Sequence, residues 1–427
     1  MNRIVLPAAI AAVLMAPCCL TAAEPLHDDL ERDPAVAEIL SSLKPGESAW
    51  LPEVKTAGPI NEELKKHRHH LTGPRPRNYS LKWVWAADRN RALFCGGNAG
   101  TPHKLNDVWE YDLASNTWVL LWEPDPDTNR VRRMEPKEKS EYLDAFVKLD
   151  PQSGELMTKR GAPFDPVHTW WALTYDPQLH ALLWVMGNHH LHDFYMEQHP
   201  ELQKDYQYGG RHPMRLWAFY PGQTRWEFFK APEGLQRSPA AILEYVPELH
   251  GSLYVTETHA QSGVFHSESK EWTWEQLARS SSALADDAVP QREAVAAYDA
   301  QRKLIVAHHG GFKTRTGTKP KRTWHFDVEN SEWKLVLESD EGPVGFDTHG
   351  PMVYDSAANA CFLVGTDALW RYDAATPSWT KVKPQGPEHI NEKRRASMAC
   401  YNPEFNVIMV DNGAGRVWVY RAANETE

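Results

Sequence analysis

Cysteine is scarce in this sequence, with five residues among 427. Two of them lie in an apolar N-terminal run, which leaves Cys95, Cys361 and Cys400, each inside a strand-like apolar segment. An odd and sparse set of this kind excludes a fold held together by several disulfides. We expect three buried free thiols, with a single disulfide between Cys361 and Cys400 as the alternative.

Long hydrophobic runs are also scarce. The one extended run, residues 4–15, follows Arg3 and precedes the small-residue segment 21–23. A charged start, a short apolar stretch and a small-residue end are typical of a secretory signal peptide, which predicts removal of residues 1–23. A retained membrane anchor is the alternative, although the run is short for a membrane span. We therefore expect a secreted or periplasmic chain that has no membrane partner after cleavage.

Positive charge is in the minority. The chain has 46 lysines and arginines against 57 aspartates and glutamates, which gives a formal net charge of −11. An acidic chain of this kind is a poor partner for nucleic acid or for anionic membranes. An anionic ligand would need a local basic pocket.

Tryptophan, by contrast, is abundant, with 18 residues, and its spacing predicts the fold. An aromatic residue is followed nine positions later by tryptophan five times, usually with a turn-forming stretch between them. The pairs are Trp109/Trp118, Trp217/Trp226, Phe265/Trp274, Trp324/Trp333 and Trp370/Trp379. A hairpin signature that recurs about every 40–50 residues is typical of β-propeller blades.

Short apolar segments around these pairs predict six four-stranded blades. The predicted blades cover 77–122, 164–229, 237–277, 292–336, 346–382 and a last one that starts near 394. The last blade lacks its outermost strand, because the position nine residues after Trp418 is Glu427 and not a tryptophan. We expect residues 48–55, which carry Trp50, to supply this strand and close the ring.

Two further segments are predicted to lie outside the blades. Residues 24–76 form an N-terminal extension, in which short helices at 34–43 and 60–70 flank the closing strand. Residues 123–163 contain no tryptophan and have helical spacing over 137–149, so they are predicted to be an insertion. The propeller domain then spans 77–427.

The glycine pairs in FCGGN and HHGGF, together with VWEYD, TWHFD and LWRYD, resemble the repeats of the kelch family, which includes the propeller domain of galactose oxidase. The resemblance covers about 80–423 and is degenerate in blade 3, where Thr256, Glu257 and Thr258 replace the glycines. It implies an all-β, six-bladed β-propeller of kelch type. Such propellers include both enzymes and binding modules, so the resemblance does not select a function.

Propeller geometry predicts which residues meet. The first strand of a blade is innermost, and its start lies beside the end of the second strand, with facing Cβ atoms about 4.5–5.5 Å apart. This geometry places His168 opposite His189 and Arg292 opposite His308. It also pairs Asn78 or Tyr79 with Asn98 and brings Arg237 near His259, while His349 and Arg394 begin the last two blades. We expect these residues to ring one mouth of the central channel, toward which the insertions 123–163, 188–214 and 312–322 also project.

Two functions of different classes fit these residues. The first is binding of an acidic carbohydrate, in the form of a polysaccharide lyase that acts by β-elimination. His168 and His189 would then transfer protons, Tyr79 would be a second acid and Arg237 would neutralise the substrate carboxylate. The predicted ligand contacts are Asn78, Asn98, Asn188, His259, Arg292, His308, His349 and Arg394. The second function is a non-catalytic extracytoplasmic module that holds a protein or glycan ligand at the same mouth.

The sequence identifies no cofactor and leaves the metal content open. The segment 189–193 is rich in zinc-ligand types but lacks an established ligand spacing. The copper chemistry of galactose oxidase requires a tyrosine crosslinked to a cysteine. Tyr79 starts an inner strand, but Cys95 is not plainly placed to reach it. Arginines that start inner strands also bond neighbouring blade backbones in kelch propellers, so a structural role stays open for Arg237, Arg292 and Arg394.

Overall fold

The computed structural model describes most of the chain beyond the predicted signal peptide. The described residues are 30–77, 80–97, 105–128, 130–164, 166, 168–186, 191–202, 215–236, 241–256, 261–276, 289–290, 293–311, 313–314, 317–318, 320–343, 350–365, 368–389 and 397–423. Six small antiparallel sheets form a ring within these residues. The predicted six-bladed β-propeller is therefore confirmed.

Each blade is a meander of four strands, numbered from the axis outward. Blade 1 consists of Val84–Ala86, Arg91–Cys95, Val108–Asp112 and Thr117–Trp122, blade 2 of Leu173–Asp176, Ala181–Met186, Arg215–Tyr220 and Arg225–Lys230, and blade 3 of Ile242–Val246, Gly251–Thr256, Gln261–His266 and Glu271–Gln276. Blade 4 consists of Val295–Asp299, Leu304–His309, Lys321–Asp327 and Glu332–Ser339, blade 5 of Met352–Asp355, Ala360–Val364, Leu369–Asp373 and Ser378–Val382, and blade 6 of Met398–Asn402, Val407–Asp411, Arg416–Tyr420 and Ser48–Glu53.

The first strands line the axis and contact one another in cyclic order, including blade 6 with blade 1. The second strands are almost entirely buried and mostly apolar because both of their faces are covered by neighbouring blades. The cores accordingly lie between blades: one cluster joins Leu93 and Val119 of blade 1 to Leu173 and Trp184 of blade 2.

The helices belong to the two segments predicted to lie outside the blades and to one loop of blade 2. They are Pro34–Ser42, Glu62–Lys66, His69–Thr72, Pro136–Phe146 and His192–Gln198, with short 3-10 turns at Val131–Arg133, Pro200–Leu202 and Pro247–Leu249. Two small hairpins are formed by Val147–Leu149 with Leu156–Thr158 and by Lys313–Thr314 with Gly317–Thr318. No helix of the described residues is both long and apolar enough to cross a membrane.

The N-terminal segment closes the ring as predicted, and it does more than was predicted. Ser48–Glu53 pairs antiparallel with the third strand of blade 6. The chain then continues into Lys55–Ala57, which adds a fifth strand to blade 1, parallel to Thr117–Trp122. One continuous segment therefore joins the last blade to the first and covers the outer edge of each.

The aromatic spacing reflects a cross-strand aromatic pair in the outer hairpins of blades 1 to 5. The residue directly opposite the outer tryptophan is the aromatic seven positions before it, and the ring centroids lie 4.9–5.3 Å apart. The five pairs are Tyr111/Trp118, Phe219/Trp226, Phe265/Trp272, Phe326/Trp333 and Tyr372/Trp379. The nine-residue spacing marks the diagonal neighbour of this pair on the same face of the hairpin.

Two assignments made from that spacing are wrong by two residues. In blade 3 the partner of Phe265 is Trp272, whereas Trp274 lies opposite Gly263. In blade 6 the residue opposite Tyr420 is Ser48, and Trp50 lies opposite Trp418. Trp50 thus belongs to the closing strand, but it does not occupy the position expected of the missing outer tryptophan.

The three cysteines Cys95, Cys361 and Cys400 are buried free thiols, as expected, and no disulfide joins Cys361 to Cys400. Burial raises the pKa of each of these thiols. A thiol with a raised pKa is a poor nucleophile, so the three behave as small apolar core residues.

Candidate functional site

The predicted mouth lies at the end of the ring that carries the long connections. Successive strands within a blade run in opposite directions. The loops between second and third strands and the loops between blades therefore lie at the same end of the ring. Ten of the predicted site residues lie outside the described residues: Asn78, Tyr79, Asn98, Asn188, His189, Arg237, His259, Arg292, His349 and Arg394. Their roles stay predictions, and His168 and His308 are the two that the structure places.

His168 lies at this end, between the first two blades. It forms a parallel bridge with Gly97 at the end of the second strand of blade 1. Its half-buried ring meets the edge of Trp170 at a centroid distance of 4.5 Å. The hairpin of blade 2 has the predicted register from Leu173 to Trp184. A turn that joins the Ala172 amide to the Thr169 carbonyl precedes it, so the pairing of His168 with His189 stays a prediction.

His308 has a different environment from the one predicted. It is 1% exposed, and Val295 lies opposite it, because the turn of this hairpin occupies residues 300–303 instead of being centred on Ala300. Its Nδ1 lies 2.9 Å from the Thr323 hydroxyl, and its Nε2 lies 3.3 Å from the Pro343 carbonyl oxygen. Burial lowers its pKa to about 3. The predicted pairing with Arg292 is therefore wrong. The imidazole is neutral and enclosed by the protein, and its contact with a ligand stays a prediction.

The described arginines near this end are structural. Arg77 donates to Asp107 Oδ2 at 2.6 Å and to the Gly96 carbonyl oxygen at 2.6 Å, with both side chains fully buried. Burial by itself would raise the pKa of Asp107, but Arg77 outweighs it and the pKa lies below its ordinary value. This ion pair holds the segment that leads into blade 1. It is a structural role of the kind that stays open for Arg237, Arg292 and Arg394.

The two large insertions pack together beside the mouth. Leu143 and Leu156 of the first insertion share a small core with Tyr195 and Met196 of the blade 2 loop. A second fully buried ion pair, from Arg215 Nε to Glu155 Oε1 at 2.7 Å, attaches this unit to the third strand of blade 2. The insertions thus form one folded unit that is anchored rigidly to the propeller.

Sequence reasoning missed a polar group at the axis of the ring. Lys82 Nζ, just before the first strand of blade 1, lies 2.5 Å from Glu244 Oε1 in blade 3 and 2.7 Å from the Leu243 carbonyl oxygen. Trp171, just before the first strand of blade 2, donates from Nε1 to Glu244 Oε1 and to the Ala296 carbonyl oxygen of blade 4, both at 2.8 Å. Blades 1 and 3 are not neighbours in the ring, and neither are blades 2 and 4. These contacts are therefore made across the axis.

This axial triad of Lys82, Glu244 and Trp171 is buried, with exposures of 7%, 7% and 2%. The Lys82 ammonium also lies 5.3 Å from the centroid of the Trp171 ring, which adds a cation–π contact. Burial raises the pKa of Glu244 and lowers that of Lys82, and their mutual attraction opposes both shifts. The available sequence signal was a lone lysine or glutamate inside an apolar inner strand, in SLKWVW and AILEYV.

Metal-ligating side chains do not cluster within the described residues. These residues contain no group of three or more histidine, cysteine, aspartate or glutamate side chains placed to hold an ion. Cys95, the one cysteine near the start of blade 1, is fully buried in the core between blades 1 and 2.

Comparison with known proteins gives weak likenesses. No protein-family model matches the chain, and no curated protein matches it. A structural genomics protein of unknown function from Bacteroides thetaiotaomicron is similar over 88% of this chain and 76% of that one, with 9% identity and a TM-score of 0.48. A chain of the mitotic checkpoint complex is similar over 98% and 100%, with 9% identity and a TM-score of 0.42.

A fungal alcohol oxidase of the AA5 family, solved in complex with copper, is similar over 80% of this chain and 62% of that one. The identity is 12% and the TM-score 0.40, and the chain spans less than two thirds of the oxidase. Likenesses of this strength carry no argument about ligand or chemistry. The propeller assignment rests on the sheets themselves, and membership of the kelch family stays a prediction.

Proposed function

We propose that this chain is a secreted or periplasmic binding propeller that holds an acidic carbohydrate at the mouth without chemical turnover. The observation that favours binding is the axial triad. Lys82, Trp171 and Glu244 contact one another across the axis near the start of the first strands, so they would lie beneath a ligand bound at the mouth. Buried groups held by several hydrogen bonds suit recognition by a preformed site.

The acidic character of the ligand is proposed from the residue types predicted at the mouth. The positive charges of Arg77 and Arg215 are already compensated by the buried carboxylates of Asp107 and Glu155. Neither ion pair carries a net charge that would attract an anionic ligand. Capture of a carboxylate or sulfate would then depend on Arg237, Arg292 and Arg394. Arginine suits this task because its planar guanidinium binds such oxyanions in a bidentate manner.

The test is a binding assay of the purified protein on immobilised polyuronates and sulfated glycans. Single Arg237→Ala and Arg394→Ala variants are expected to weaken binding about tenfold or more, since each removes a charge-assisted hydrogen bond. The matched control is Arg225→Ala, on the outer strand of blade 2, where the side chain is 46% exposed. Equal losses in all three variants, or no binding to any acidic glycan, would contradict the proposal.

A lyase is the second candidate, and the half-buried position of His168 at the mouth is the observation that favours it. β-Elimination on a uronate leaves an unsaturated end that absorbs in the ultraviolet, so turnover is measured directly. Absorbance that rises with wild-type protein and is lost in both His168→Ala and His189→Ala would replace the binding proposal by the lyase. Binding without such absorbance supports a non-catalytic module.

A further inference from the structure

A cleft of about 800 Å³ opens on the face of the ring opposite the mouth. This face carries the tight turns between first and second strands and between third and fourth strands. The walls of the cleft are the Pro247–Leu249 turn of blade 3 and the turns at 300–303 and 328–331 of blade 4. Its volume lies within the range of about 300–1,000 Å³ that is usual for small-molecule sites.

Three cationic side chains line this cleft. Arg302 is held in place, because its Nη1 donates to Asp299 Oδ2 at 2.8 Å and to Asn359 Oδ1 at 3.1 Å. Lys303 Nζ lies 3.8 Å from the nearest Glu248 oxygen, which is too far for a hydrogen bond. Lys334 is exposed on the outer strand of blade 4, and no ion pair joins it to another described residue. The two lysine ammonium groups therefore retain donors for a ligand.

Two of the three carboxylates in the cleft are engaged within the protein. Glu248 accepts a hydrogen bond from the Tyr298 hydroxyl. Asp327 accepts the Asn330 backbone amide at 3.0 Å and its side-chain amide at 2.8 Å, which stabilises the turn. The third, Glu329, lies exposed in the same turn. The cleft thus holds three carboxylates beside three cationic side chains, and among the cationic groups the Lys303 and Lys334 ammonium groups keep donors that no carboxylate of the described residues accepts.

His325 adds a neutral donor to this set. Its Nε2 lies 2.8 Å from the Tyr372 hydroxyl, and burial lowers its pKa to about 4. The ring is therefore uncharged at neutral pH. When Tyr372 donates to Nε2, Nδ1 carries the proton and offers one further N–H group.

We propose that this cleft is a second ligand site, which binds a small molecule carrying a carboxylate, sulfate or phosphate group against Lys303 and Lys334. Leu249, Val328 and Val336 line the same cleft and give the apolar part of such a molecule a surface to contact. This site is separate from the mouth in position and does not depend on the function proposed for the mouth.

Isothermal titration calorimetry on the full chain tests the proposal with three probes: trigalacturonate, inorganic sulfate and inorganic phosphate. We expect the wild type to bind at least one of them. In the double variant Lys303→Gln/Lys334→Gln that binding falls at least about tenfold, because two charge-assisted contacts are lost. Trigalacturonate binding that the double variant loses would identify a sugar-borne acid as the ligand of the cleft, whereas trigalacturonate binding that it retains belongs to the mouth. Binding of the inorganic anions that the double variant loses would identify a simpler oxyanion site in the cleft.

The matched control is Lys230→Gln, an exposed lysine at the end of the outer strand of blade 2. It is expected to bind like the wild type. Thermal unfolding of each variant verifies that the fold is retained. The proposal is overturned if the wild type binds none of the probes, or if Lys230→Gln loses as much affinity as the double variant. It is also overturned if the double variant retains the binding of every probe.

Discussion

The outer hairpins and the axis of this propeller are built on opposite rules. The outer hairpins repeat one apolar device, an aromatic residue opposite tryptophan, in five blades with centroid distances of 4.9–5.3 Å. The axis instead carries an unrepeated group of polar contacts, the axial triad, which joins blades that are not neighbours. Repetition therefore specifies the blades, whereas an unrepeated set of contacts fixes how the first strands meet at the centre.

The largest effect is expected from breaking the axial triad. Lys82→Met leaves the Glu244 carboxylate buried without its cation, which should lower the free energy of unfolding by about 3–5 kcal/mol. The matched control is Lys55→Met, whose ion pair with Asp33 at 2.8 Å is surface-exposed and should contribute less than about 1 kcal/mol. Urea unfolding at pH 7 measures both.

The double variant Lys82→Met/Glu244→Leu separates charge from packing. It removes the unpaired carboxylate, so it should recover most of the stability that Lys82→Met loses. A double variant as unstable as the single one would show that the triad acts by shape and not by charge. The axis would then obey the same packing rule as the outer hairpins.

The difference between the two regions also explains what the sequence could predict. The tryptophan spacing is local, so it predicted six blades and their order. The register was predicted correctly for the Leu173 hairpin of blade 2. It was wrong by three residues for the hairpin of blade 4, where the turn lies at 300–303, and by two residues for Trp50, which comes from the opposite end of the chain. Lys82 and Glu244 are separated by 162 residues, so only the closed ring reveals that they meet.

A second unrepeated polar group lies at the seam where the ring closes. Asp411, at the end of the second strand of blade 6, is fully buried, and desolvation raises its pKa to about 7 although the Gly413 amide and Arg75 favour the charged form. Since the folded pKa exceeds that of the unfolded chain, this group stabilises the fold fully below about pH 4. That contribution is lost as the pH rises toward 7.

Asp411→Asn tests this account at the seam. The amide cannot ionise, so the variant should be more stable than the wild type by about 1–3 kcal/mol at pH 8 and nearly equal to it at pH 4. The measurement is urea unfolding at both pH values. A difference of the same size at both values would mean that the substitution acts through packing, and Asp411 would not titrate in the folded state.

The smallest effects come from blade 3, where the outer pattern is displaced. Trp272 packs against buried Phe265 at 5.3 Å and is half-buried, so Trp272→Ala should cost about 2 kcal/mol, part of the full cost of a buried aromatic. Trp274 is 37% exposed opposite Gly263, so Trp274→Ala should cost less than about 1 kcal/mol. Thermal and urea unfolding of the two variants rank them. Trp274→Ala could instead lower the free energy of unfolding more than Trp272→Ala does. The residue nine positions after Phe265, and not the residue directly opposite it, would then stabilise the blade. The rule that the directly opposed aromatic pair stabilises the outer hairpins would fail for the other blades as well.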